Sequence, residues 1–412
     1  MGNNNHGQLG LGFIPVMTNV PQQILSSGVA TVACGANHSL FRMGGSLWTM
    51  GQNDAGQLGD GTTNNHVFPE KIFPGSGSVS VTAIATGPEG HHSLFATSGL
   101  IAGSTGLKVT GDNSYGELGD GALTNHDTPE QIVASAITAA SCGFGFSMFV
   151  RSDGSLWSMG RNNVGELGNG TILNTNRPVQ IVASGVTAVA SGTSHTLFLK
   201  SDGSLWAMGV NDTGQLGDNT TFDQHTPEQV VFNGVTAVAA GQEHSLFIKS
   251  DGSLWGMGDN MYGQLGDGTN ASRHLPIQIV SSNVVAVAAG GYSSLFIKSD
   301  GSLWGMGENT AGQLGDGSYT NHLTPIRIVA GLPPAPRITG ISLAGANLNL
   351  TGANGAPGET LVTLTSTSLA LPRNQWQPVA TNLLNATGNF SIIATNAVLP
   401  KEAQRFFILQ VQ

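Results

Sequence analysis

The stretch GVTAVAAGQEHSLFIKSDGSLWGMGDNMYGQLGDGTNASRHLPIQIV, residues 234–280, decides how this chain folds. VTAVAAG alternates small and apolar residues. HSLFIK and SLWGMG are short apolar runs on either side of SDG, a tight-turn signal, and LPIQIV follows a long polar loop. Short apolar runs bounded by Gly, Asp and Ser read as strands. The stretch therefore predicts four strands joined by turns, with no helix. It also recurs. The glycines that close the third strand, Gly2, Gly51, Gly111, Gly160, Gly209, Gly258 and Gly307, stand 49, 60, 49, 49, 49 and 49 residues apart. Four-stranded units repeated at a fixed period are the mark of an all-β propeller.

Residue chemistry orders the strands within each blade. The prolines Pro69, Pro129, Pro178, Pro227, Pro276 and Pro325 cannot donate to a ladder, which places their strand at the outer edge. The Ala- and Gly-rich strand suits the crowded centre. One column of tryptophans (Trp48, Trp157, Trp206, Trp255, Trp304) and one of phenylalanines (Phe41, Phe95, Phe149, Phe198, Phe247, Phe296) are expected to fill the space between blades. The phase of the repeat gives six complete blades, near 28–75, 76–134, 135–184, 185–233, 234–282 and 283–331. Residues 1–26 read as the second half of a seventh, so the propeller occupies 1–331 and seven blades are expected in the intact protein. Met1 aligns with Met50, Met159, Met208, Met257 and Met306. The expectation is that the chain starts inside a longer protein, with any signal peptide upstream.

Composition narrows the function classes. Charged residues are 10% of the 412, against roughly 25% in an average domain. The 15 Lys and Arg are scattered under a net charge of −10, which argues against a nucleic-acid partner. No apolar stretch approaches the roughly 18 residues of a membrane span. So little charge also predicts a partner held with weak salt dependence. Cys34 and Cys142 fill a slot that holds Ser191 and Ala240 in other repeats, and both are expected free and buried. A monomer is expected.

The pattern VxxVAxGxxHSLFxxSDGSLWxMGxNxxGQLGDGT…P resembles the repeat of the regulator of chromosome condensation family, over Gly28 to Ala330 and weakly over Met1 to Ser26. The resemblance implies a propeller, usually of seven blades. One repeat departs from it: eleven extra residues separate Gly51 from Gly111, and Lys108 stands in the tryptophan column. Family activities transfer poorly. The plant ultraviolet photoreceptor of this fold carries tryptophans where this chain has Ala36, Phe144, Thr193, Gln242 and Gly291. The founding member's nucleotide exchange on a small GTPase is kept as the alternative function. After a proline-rich linker at 332–337, residues 338–412 read as a small β-sandwich. The stretch LTSTSLALPRNQWQPVATN resembles C-terminal modules of large bacterial secreted proteins.

Chemistry is sparse. His38, His92, His195 and His244 share a column and are expected to bond neighbouring backbone. His66, His126, His225, His274 and His322 form a second column without zinc spacing. No nucleophile elbow, phosphate loop or HExxH occurs. The aspartates Asp153, Asp202, Asp251 and Asp300 read as turn residues, leaving a carboxylate-based hydrolase as a remote alternative. No cofactor or metal is expected. The variable positions after the inner strand, Asn37, Glu89, Phe144, Ser194, Glu243 and Tyr292, are expected to cluster at one mouth of the central channel. There they would bind a protein or glycan, in a non-enzymatic scaffold placed outside the cell or on its surface.

Overall fold

In the computed structural model six repeats form six four-stranded antiparallel sheets, at residues 29–73, 79–133, 137–182, 186–231, 235–280 and 284–329, here blades 1 to 6. The structure describes residues 1–13, 17–75, 79–99, 105–329, 337–344, 347–353, 360–366, 375–383, 390–395 and 406–411. Of the expected linker at 332–337, residues 332–336 lie outside them, and Arg337 begins a strand. In blade 5 the strands Val235–Ala240, His244–Lys249, Leu254–Gly258 and Arg273–Val280 follow one another from centre to rim. Pro276 falls where the outer ladder skips residues, between the pairs Ile277–Gly256 and Arg273–Gly258, so its missing N–H breaks no bond. The half-blade at the start is a two-stranded ribbon, Gly2–Asn3 with Met17–Thr18.

The chain divides into a larger unit, Met1–Ser299 with Leu303–Val329, and a smaller one built on Ala330–Gln412. The smaller unit has two three-stranded sheets. One joins Arg337–Ala344, Asn347–Ala353 and Phe390–Ala394. The other joins Gln377–Leu383, Thr360–Ser366 and Phe406–Val411. Leu348, Leu350, Leu361, Phe390 and Ile392 form its core. No helix among the described residues is long and apolar enough to cross a membrane.

Each blade has two different apolar faces. In blade 4, Leu197, Leu199, Leu205 and Ala207 point one way and meet Val235, Val238, Phe247 and Met257 of blade 5. Blade 5 repeats the arrangement, with Leu246, Ile248 and Leu254 against Val284, Val287, Phe296 and Met306 of blade 6. The phenylalanine column is thus buried between blades, as expected. The tryptophans sit differently. Each is only half-buried and lies flat on the phenylalanine of the adjacent strand: Trp255 stacks on Phe247 at 6.2 Å and 8°. Its outer side carries Lys249 Nζ at 4.2 Å, and its indole N–H donates to Ser253 Oγ at 2.8 Å. The indole closes the edge of the interface instead of filling it.

The glycine-rich loop is locked by its own asparagine. Asn53, fully buried, accepts from Leu58 N at 2.8 Å and donates from Nδ2 to Asp60 Oδ1 at 3.0 Å. Asn113, Asn162, Asn211, Asn260 and Asn309 repeat both bonds. The loop then seats on the outer strand of the next blade. Gly56, at φ +82°, faces Asp127 so closely that a Cβ would lie 2.5 Å from its Cα. Glycine is the residue that accepts both the conformation and the approach.

The first histidine column bonds across blades to a side chain, not to backbone as expected. His38, His92, His195 and His244 reach Ser93, Ser147, Ser245 and Ser294 of the following blade, Nε2 to Oγ at 2.9–3.0 Å. Each serine hydroxyl donates to the carbonyl of a loop residue in the histidine's own blade: Gln57, Glu117, Gln215 and Gln264 at 2.7 Å. With the serine proton committed there, the histidine must donate from Nε2, and burial, which disfavours the charged form, keeps each ring neutral.

Cys34 and Cys142 are free, as expected, but only Cys142 is buried. Cys34 lies on the inner strand Val29–Cys34, which is largely exposed; among the described residues beside it, only Gly2–Asn3 and Met17–Thr18 form strands.

Two outcomes follow. Phe247→Ala loses roughly 3–5 kcal/mol of unfolding free energy as a large cavity opens between blades. Trp255→Ala loses less, since one ring face is already wet; denaturant melts giving the opposite order would refute this packing. The second concerns pH. Burial, before any charge, lowers the folded pKa to about 3 for His38 and His244 and about 4 for His92 and His195, from 6.5. Below pH 6.5 the unfolded chain takes up protons the folded chain refuses, so stability falls as pH falls, by about 1 kcal/mol per histidine per pH unit. Glu117, raised by burial to about 7, and Glu166, raised by the same cause, act the opposite way. Glu228 and Glu243 are raised as well, but among the carboxyls only Glu117 shifts as far as the histidines do, so the four histidines leave a net loss, read as a lower urea midpoint at pH 5 than at pH 7. Equal midpoints would contradict the neutral staples.

Candidate functional site

The six candidate residues all stand in the turns between the inner and second strands of blades 1 to 6, and all are half-buried. Backbone bonds tie these turns to one another around the centre. Phe144 N donates to Thr193 O, Thr193 N to Gln242 O, and Gln242 N to Gly291 O, at 3.0–3.2 Å, and Ala36 N to Gly90 O at 3.4 Å. One bond crosses the mouth: Gln242 Nε2 of blade 5 donates to Glu89 Oε1 of blade 2 at 2.8 Å. Blades three apart in a propeller face each other, so this pair spans the opening.

The mouth has two chemically distinct parts. Around Glu243 it is acidic and aromatic. Burial raises the Glu243 carboxyl above its usual range, and Asp212, Asp259 and Glu89 raise it further. Tyr292 packs on Tyr262 with ring centres 5.1 Å apart, and its hydroxyl is raised by burial and then by Glu243. Around Phe144 a cation intervenes. Arg161 lies over the Phe144 ring at 5.4 Å, donates to Ser194 Oγ at 3.1 Å, and has Nε 3.6 Å from Glu166. Tyr115 packs on Phe144 at 6.1 Å. Elsewhere on the rim, Asn37 accepts from Gln8 Nε2 at 3.4 Å.

Sequence reasoning did not single out Tyr115, Arg161, Asp212, Asp259 or Tyr262. They come from the glycine-rich loops, which that reasoning took as framework throughout. The signal lay inside the motif: in GxNxxGQLG the x positions vary between repeats while the glycines do not. The low overall charge also misled. Few carboxylates are present, yet Asp212, Asp259 and Glu89 all fall within electrostatic reach of Glu243.

The site offers little to catalysis. The His–Ser pairs have the spacing of a general base and its nucleophile. Their polarity is reversed, however, since the ring donates, and they are sealed from solvent. The second histidine column, read from the sequence as lying in polar loops and varying in register, does vary in register, but it stands at the start of the outer strands. The equivalent positions are His66, His126, Gln224, Arg273 and His322, while His225 and His274 sit one residue later, against Gly165 and Gly214 of the preceding blades. His66 Nε2 meets Asp60 and Nδ1 meets Glu70, both at 2.6 Å. His126 meets Asp120 and Glu130 at 2.8 and 3.1 Å. The ligand atoms of each trio lie within 4.8 Å of one another, but each carboxylate holds a different ring nitrogen, the arrangement of two ion pairs. Arg273 pairs with Asp267 at the same position, which marks the column as a loop-to-strand ion pair.

The comparisons agree with this architecture. The RCC1-like domain model matches residues 107–354, and the regulator of chromosome condensation (RCC1) repeat matches 1–42 and 44–95. Among curated proteins, the human probable E3 ubiquitin-protein ligase HERC4 is 36% identical over 135 residues, 31% of this chain and 12% of that protein. Human protein RCC2 is 35% identical over 133 residues, 32% of this chain and 24% of that one. The chain thus spans a quarter or less of these relatives' lengths. Among solved structures, Prp20p from Saccharomyces cerevisiae, described with its binding to Gsp1p and histones, superposes with a TM-score of 0.69 at 22% identity. That alignment covers 80% of this chain and 85% of Prp20p. With more than half its length matched by that model, this chain belongs to the RCC1-like domain family.

Proposed function

We propose that the propeller is a non-catalytic protein-binding module whose contact surface is the mouth formed by the turns carrying Asn37, Glu89, Phe144, Ser194, Glu243 and Tyr292. The observation that carries this reading is the convergence of Glu89, Glu243, Asp212 and Asp259 beside the Tyr262–Tyr292 pair. The Glu243 carboxyl, raised by burial and then by Asp212, Asp259 and Glu89, marks a negative cluster that favours a partner bringing positive charge. A neutral glycan would desolvate them without repayment, so a basic protein segment is the partner this surface suits. Tyr292 and Phe144 are the aromatic anchors. The C-terminal β unit, read as a secreted-type module, supports a setting outside the cell or at its surface. The nucleotide-exchange alternative rests on family membership and has no residue of this chain assigned to it.

The test is affinity capture from the source organism's surface and soluble fractions. Parent chain is compared with Phe144→Ala/Tyr292→Ala, with Glu243→Gln, and with Phe222→Ser on an outer loop as control. Loss with the first two variants but not the third is expected, and capture should weaken with rising salt. Equal recovery by all four proteins would remove this mouth as the site. Accelerated nucleotide release from a small GTPase would instead favour the exchange alternative.

A further inference from the structure

The outer strand of blade 3 departs from those of blades 1 and 2 at three linked positions. In blade 1 that strand begins with His66, whose ring meets Asp60 of the loop and Glu70 of its own strand. In blade 2 His126 meets Asp120 and Glu130 in the same way. The equivalent places in blade 3 hold Asn169, Thr175 and Val179. Asn169 keeps its part in the loop, accepting from Asn162 Nδ2 at 3.0 Å as Asp60 does from Asn53. The strand, however, carries neither the ring nor the carboxylate. Thr175 Oγ1 is buried and takes no hydrogen bond, so nothing replaces the ion pair there. At this place, between the glycine-rich loop of blade 2 and the outer strand of blade 3, lies a cleft of about 520 Å³.

Its lining is mixed. Tyr115 and the exposed Leu123 come from the loop, and Thr175, Arg177 and Val179 from the strand. Asn174 and Asn176 add amides. Asn174 accepts from Asn162 N through Oδ1 at 2.9 Å, which leaves its Nδ2 to donate. Asn176 donates through Nδ2 to Gly121 O at 2.8 Å, which leaves its Oδ1 to accept. Arg177 is exposed and lies against Gly121, where a Cβ would meet its guanidinium. Among the described residues no carboxylate pairs with it, unlike Arg161 and Arg273, and no acid lines the cleft.

We propose that this cleft binds one uronic acid ring. Small-molecule sites run from roughly 300 to 1,000 Å³, which admits a hexose-sized ligand here. The planar guanidinium of Arg177 forks a single carboxylate through two parallel bonds. The free donor of Asn174 and the free acceptor of Asn176 suit ring hydroxyls, which both give and take hydrogen bonds. Tyr115, Leu123 and Val179 cover the apolar C–H face of the ring. A neutral hexose leaves Arg177 unpaired, and a phosphate finds no second cation in the lining. The inference does not rest on the mouth. That surface suits a basic segment, which Arg177 would repel, so the two sites take ligands of opposite charge.

The repeat supplies its own test. Asn169→Asp/Thr175→His/Val179→Glu gives blade 3 the trio of blades 1 and 2, which those blades already accommodate. The full chain, this triple variant, Arg177→Gln and the outer-loop control Phe222→Ser are titrated with D-glucuronate by calorimetry, and circular dichroism melts check each fold. The parent chain and the control bind glucuronate saturably with equal affinity, and the triple variant does not bind it. Arg177→Gln weakens binding about tenfold, the effect of losing one charge-assisted pair. Glucose and benzoate, one lacking the carboxylate and the other the hydroxyls, each bind the parent at least about tenfold more weakly. Four results would overturn the proposal: no saturable binding by the parent, undiminished binding by the folded triple variant, glucose binding as well as glucuronate, or benzoate doing so.

Discussion

The contact on which the larger unit depends is the seat of one blade's glycine-rich loop on the outer strand of the next. It needs a residue with no side chain at a left-handed backbone position, since a Cβ would lie 2.5–2.7 Å from a neighbour's backbone at Gly56, Gly116, Gly165, Gly214, Gly263, Gly312 and Gly7. Seven such seats join six sheets and a half-blade into a closed rim. Because the loop must arrive in one shape, its interior is fixed by a buried asparagine that satisfies a leucine amide and an aspartate at once. This explains why a chain with so little charge keeps Asn and Asp at these places: they are the loop's internal scaffold.

Behind that rim, the interface between blades is directional. A leucine-bearing face meets a phenylalanine-bearing face, and the histidine of one blade reaches the serine of the next, whose proton returns to the first blade's loop. A blade therefore satisfies its neighbours only in one order around the ring.

The mouth draws its chemistry from two sets of turns in alternation, the inner turns of one blade and the glycine-rich loops of the blade before it. Framework and variation interleave there. A residue such as Tyr262 is held by a loop whose other members are locked, so its ring is presented on a rigid support. Carboxylates that are sparse along the chain become neighbours by the same construction, and the local field differs in character from the net composition.

The sequence by itself determined the strand count per blade, the phase of the repeat, the edge position of the proline strand and the placing of Phe247 and its equivalents in the interior. These follow from period, from proline's missing donor and from apolar runs too short for helices, all local properties. It also identified the turns that carry Glu89, Phe144, Glu243 and Tyr292. What only the tertiary structure decided are relations between residues far apart in sequence. The histidine bonds a serine about 50 residues away, Gln242 meets Glu89 across 153 residues, the tryptophan covers the junction that the phenylalanine fills, and Cys34 is exposed where Cys142 is buried. Each depends on which blade stands beside which, and a repeated motif is silent about this because every copy of it looks alike until the ring is closed.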